Sequence, residues 1–116
     1  MTKNYTIQIL DEVSIVRFTE PPSYSDIINT INEFSDNEQP LRLWDLTSGM
    51  NLTTNELISI ADHGKKTLKK AAKVAIVAPS DLTFGLSRMH GVYREQDSLD
   101  ANVFRSKEEA INWLKS

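Results

Sequence analysis

Apolar residues change period repeatedly along this chain, and each change marks an element. Tyr5, Ile7 and Ile9 share one face over Tyr5 to Leu10, and Val13 to Phe18 follow after Asp11-Glu12. Two short runs split by two polar residues predict a β-hairpin. Pro21-Pro22 ends the second strand, after which Tyr24, Ile27, Ile28, Ile31 and Phe34 recur at helical spacing and predict an amphipathic helix. Polar residues from Ser35 to Gln39 and then Pro40 form a loop before the apolar strand Leu41 to Leu46, which carries Trp44 and reads as central.

Thr53 and Glu56 have the spacing of a capping box, opening a helix with Leu57, Ile60, Ala61, Gly64 and Leu68 inward. Val74 to Ala78 is continuously apolar, as expected of a strand buried on both faces, and Pro79 stops it. Ser80 or Asp81 then caps a helix whose Leu82, Leu86, Met89 and Tyr93 recur every three or four positions. Ala101 to Arg105 forms a last short strand, and Ser106 with Glu109 opens a final helix bearing Ala110, Trp113 and Leu114. The predicted order is β-β-α-β-α-β-α-β-α, without linker, repeat or low-complexity segment. Strand and helix alternating in this way predict an α/β fold with a mixed, mostly parallel sheet of about five strands, because parallel neighbours can be joined only by a crossover.

The length of 116 residues fits one domain spanning 1–116, large enough to bury about two-thirds of its unfolded surface. With no cysteine, disulfides, thiolate catalysis and cysteine-ligated zinc are excluded, and an unstapled chain suits a reducing cytoplasm. No apolar run is long enough for a signal peptide or an integral membrane segment. A net charge of -3 gives no general attraction for nucleic acid.

The order of elements, with its leading hairpin and repeated strand-helix units, resembles the STAS domain of anti-anti-sigma factors and sulfate-transporter tails, the SpoIIAA-like fold. Trp44 to Leu46 (WDL), Lys73 to Met89 (KVAIVAPSDLTFGLSRM) and Val103 to Leu114 (VFRSKEEAINWL) resemble a bacterial family of small STAS-like/SEC14-like proteins without established activity. The resemblance implies four helices around the sheet and a non-enzymatic regulatory or protein-interaction role. Regulatory STAS domains carry an Asp-Ser-Ser-Gly motif whose serine, at a helix start, is phosphorylated by a partner kinase. Here Thr53, Thr54, Asn55 and Glu56 fall at that place, and only Thr54 keeps a hydroxyl at the acceptor position. The SEC14-like side of the resemblance implies instead a small apolar or lipid-like ligand, with Trp44, Phe84, Leu86, Met89 and Tyr93 as pocket candidates. A stripe of Met and aromatic residues at helical spacing is more often core.

In open α/β sheets ligands gather beyond the carboxyl ends of the parallel strands, near a switch in strand order. That edge collects Pro21 to Ser23, Asp45, Thr47, Ser48, Ser80, Asp81 and Ser106. Helix N-termini there could hold an anion, although capping is the stronger explanation of each Ser and Asp. Asp45, Thr47, Ser48, Thr53, Thr54 and Phe84 are the candidate surface for a protein partner. His63 and His90 lie in different predicted helices outside any ligand motif, and no nucleophile elbow is present. The expectation is therefore a protein that is not an enzyme, uses no cofactor or metal, and meets a partner protein, with exposed aromatics also permitting a homodimer. The lysines from Lys65 to Lys73 complement a helix C-terminus or face an anionic partner. Gly85, inside the third predicted helix, marks close packing or a nearby ligand.

Overall fold

The computed structural model describes residues 4–49, 52–67, 73–78, 80, 85 and 100–116. The hairpin strands are β1 (Tyr5–Leu10) and β2 (Val13–Phe18), antiparallel in an unbroken register from Tyr5 opposite Phe18 to Leu10 opposite Val13. Asp11 and Glu12 join them with φ of 51° and 68°. Positive φ at both central residues is the signature of a type I′ turn, whose twist matches that of the strands. Then follow α1 (Tyr24–Asp36), β3 (Leu41–Asp45), α2 (Thr54–Thr67), β4 (Lys73–Val77), β5 (Asp100–Phe104) and α3 (Lys107–Leu114).

The five strands lie in the order β1-β2-β3-β4-β5, with every pair after the hairpin parallel. The class is thus α/β with a mixed sheet, and β3, the strand expected to be central, is central. Three helices occur among the described residues rather than four. The helix expected from Leu82, Leu86, Met89 and Tyr93 lies outside them. Among the described strands the order runs without reversal.

Side-chain alternation sorts the core onto two faces. Val16 and Phe18 of β2, Trp44 of β3 and Ile76 of β4 pack with Ile27, Ile31 and Phe34 of α1 and Ile60 of α2. Phe18 stacks on Trp44 at 6.2 Å between ring centroids, and Phe34 meets Trp44 edge-on at 5.4 Å. Ring pairs of this kind contribute about 0.5–1.5 kcal/mol each beyond their buried area. On the opposite face Val13, Ile15, Leu43, Ala75 and Val77 meet Ala110 and Leu114 of α3. Lys73 fixes the end of α3: its Nζ donates to the backbone oxygens of Trp113 and Ser116, both at 3.1 Å, and stands 5.1 Å from the Trp113 ring centre.

Helix starts follow the local chemistry. Ser23 Oγ accepts from Asp26 N while Asp26 returns to Ser23 N, a complete capping box on α1 that the sequence reading did not single out. In α3 the Ser106 hydroxyl accepts from Glu109 N, but the Glu109 carboxylate accepts from the Ser106 hydroxyl rather than from its backbone N–H, so that box is half made.

Candidate functional site

The connection from β3 to α2 holds most of the candidate residues, and local hydrogen bonds shape it. Asp45 is buried, and its Oδ1 accepts from Thr47 N at 3.1 Å, turning the chain immediately after the strand. Leu46, also buried, donates its N–H to Val77 O at 2.9 Å, which ties the loop to the end of β4. Gly49 closes the turn by donating to Leu46 O at 2.9 Å, with φ of 103°. A side chain is disfavoured at that angle, which explains the glycine.

Thr47 is exposed at the outside of this turn, and Ser48 is half-buried with its Oγ unpartnered among the described residues. Thr53 caps α2 as its spacing predicts: Thr53 Oγ1 accepts from Glu56 N at 3.2 Å, and Glu56 Oε1 accepts from Thr53 N at 2.9 Å. Thr54, the first residue of α2, is exposed. The two threonines therefore differ in kind, one hydroxyl being engaged in the cap and the other facing solvent. Phe84, the remaining member of the candidate surface, lies outside the described residues.

Behind the loop, Trp44 and Ile76 from the sheet, Leu46 and Leu52 from the connection, Leu57 and Ile60 from α2, and Ile27 of α1 border an apolar cavity of about 30 Å³. One water requires roughly 10–15 Å³ on this measure, and ligand sites run to about 300–1,000 Å³. Among the described residues no polar side chain enters the lining. Of the pocket candidates, Trp44 borders this void and is otherwise consumed by ring packing with Phe18 and Phe34. Leu86, Met89 and Tyr93 lie outside the described residues.

The other polar candidates have structural partners. His63 is half-buried with its Nε2 2.9 Å from Asn32 Oδ1, joining α2 to α1. His90 and Asp81 are outside the described residues. Of the lysine cluster, Lys66 pairs with Asp62 at 3.0 Å on the exposed side of α2, while Lys73 turns into the end of α3. Lys69 and Lys70 lie outside the described residues. A buried cation escaped sequence reasoning altogether: Arg42 is 3% exposed, lies 5.3 Å over the Phe34 ring and stands 3.7 Å from the Glu38 carboxylate, also buried. Its position in an apolar strand gave the only signal, and the partners come from α1 and the loop after it.

Among the described residues no group of three His, Asp or Glu side chains converges as metal ligands would, and no helix is long and apolar enough to cross a membrane. No family model, curated protein or solved structure matches the chain.

Proposed function

We propose that this chain is a STAS-type interaction domain, bacterial and cytoplasmic, that meets a protein partner through the β3–α2 connection without catalysing a reaction. One observation carries the reading. The two described ends of the connection are anchored, one by Asp45 and Leu46 and the other by the Thr53–Glu56 cap, while Thr47 and Thr54 beside them stand exposed. Recognition favours such a surface, because side chains on anchored backbone lose little conformational freedom on binding. The free Thr54 hydroxyl adds a route to regulation: a phosphate there would sit at the positive end of α2. The second reading, a SEC14-like binder of a small apolar or lipid-like ligand, draws on Trp44, beside which the described residues border a void of about 30 Å³.

Photo-crosslinking residues placed at Thr47, Thr54 and, as a control on the opposite face, Glu108 test the proposal in lysate of the protein's own host. The expected result is one discrete protein adduct from positions 47 and 54 and none from 108. Equal labelling from all three would overturn it, and native mass spectrometry revealing a co-purifying lipid-like mass would transfer the case to the binder.

A further inference from the structure

We propose that α3 is a strap that swings off the sheet as a unit, hinged at Ser106 and clasped at its far end by Lys73, and that its release uncovers the apolar face beneath. α3 has 8 residues, too few for a helix to hold its shape alone in water, where about 12–15 are needed. It therefore exists only while docked, and its docking is narrow. Ala110 and Leu114 are its buried side chains, whereas α1 buries Ile27, Thr30, Ile31 and Phe34. Ile111 and Trp113 are only half-buried at its rim. The strands beneath hold one another through their own ladders, β2 to β3, β3 to β4 and β4 to β5. Departure of the helix breaks no strand pairing, so sheet and strap are separable units.

The last turn of a helix leaves carbonyls without intrahelical donors, and a cation there meets the negative end of the helix dipole. Ile111 to Leu114 supply no basic residue. Lys73 supplies one from the sheet. It opens β4, and its backbone N–H donates to Pro40 O at 3.3 Å. Its Nζ donates to Trp113 O and Ser116 O at 3.1 Å each and to Ser116 Oγ at 3.3 Å, beside the Trp113 ring. The base of the clasp is thus fixed in the sheet while its grip lies on the helix. The neighbouring pair Lys115–Asp11, 3.6 Å apart with both side chains more than half exposed, adds little. Release lays bare Val13, Ile15, Leu43, Ala75 and Val77, and the cost of wetting them keeps the open form a minor population.

Native-state hydrogen exchange of the full chain, followed residue by residue through sub-denaturing urea, tests this. The amides of Ala110, Ile111 and Leu114 are expected to be at least about tenfold less protected than those of Leu43 and Trp44 in β3, with a weaker dependence on urea. Lys73→Met keeps the stem and removes the charge, and is expected to speed exchange of the α3 amides roughly tenfold. Lys73→Arg keeps the charge and is expected to stay near wild type. Thr53→Ala weakens α2, which stays folded while α3 is off the sheet. It is therefore expected to speed the β3 amides about fivefold and to leave the α3 amides unchanged. That difference separates a strap from a helix lost only with the whole fold, and it holds even if Lys73→Met fails to fold. Equal protection in α3 and β3, a Thr53→Ala effect on α3 matching that on β3, or α3 amides indifferent to Lys73→Met would each overturn the proposal.

Discussion

Replacing Leu57 by alanine tests whether α2 is seated on the sheet in the register described. Leu57 is 1% exposed and borders the small void beneath the β3–α2 connection. The substitution removes three carbon atoms, worth about 2.4 kcal/mol at 0.8 kcal/mol each. Collapse around the gap is limited, because the N-terminal end of α2 is held by its cap and Leu46, across the void, is held by its hydrogen bond to Val77. If roughly 50 Å³ stays unfilled, the cavity adds about 1.2 kcal/mol at 24 cal/mol per Å³. The expected loss is therefore about 3.6 kcal/mol, a large share of the 5–15 kcal/mol typical of a native domain. Ile58 supplies the control, one position along the same helix and 41% exposed; Ile58→Ala is expected to cost about 1 kcal/mol or less. Equilibrium urea unfolding of both variants reads the difference as a change in midpoint at constant slope. Equal losses at the two positions would mean that α2 does not turn Leu57 toward the sheet, and the geometry of the candidate site would fall with it.

The remaining predictions concern single interactions around the site and the core. Thr53→Ala is expected to cost about 1 kcal/mol through loss of the α2 cap, whereas Thr54→Ala stays within about 0.5 kcal/mol, both by urea midpoint. Gly49→Ala has room for its methyl, the nearest atom being Pro21 Cγ at 3.6 Å, so its expected loss of about 1 kcal/mol in thermal unfolding isolates the strain of a positive φ. Arg42→Met is expected to cost about 3 kcal/mol, because the Glu38 carboxylate loses the guanidinium beside it, while Arg42→Met with Glu38→Leu recovers at least half of that in a double-mutant cycle.

What the sequence made legible was governed by how far apart the interacting residues lie. The Thr53–Glu56 cap needs residues three positions apart, and its spacing identified it correctly. The hairpin needed only two alternating runs and the polar pair between them, and its strands begin and end where the pattern changes. Burial of β4 on both faces followed from an unbroken apolar run, since a strand covered on one side only would alternate. Contacts between elements did not follow. Arg42 sits in a strand otherwise read as apolar, and although Glu38 and Phe34 are only four and eight positions away, they lie in a loop and a helix whose placement over the strand no local pattern gives. The Asn32–His63 contact likewise joins two helices that meet only in the tertiary structure.

The candidate site was half legible for the same reason. Residue type could not decide between Trp44 as the wall of a ligand pocket and Trp44 as core, because both uses demand a large apolar ring facing inward. The deciding quantity is the space left over once neighbours are placed. Phe18 covers one face of the indole, Phe34 meets it edge-on, and about 30 Å³ remains beside it. The same packing fixes the loop above: Leu46 and Leu52 are drawn down into contact with Trp44 and α2, which leaves Thr47 and Thr54 on the outside. A pocket enlarged enough to admit a lipid would require Leu46 and Leu57 to retreat, and the loop would then lose the support that orients its threonines. Partner recognition at the β3–α2 connection and ligand storage beneath it therefore compete for the same side chains, and in this structure those side chains are committed to packing.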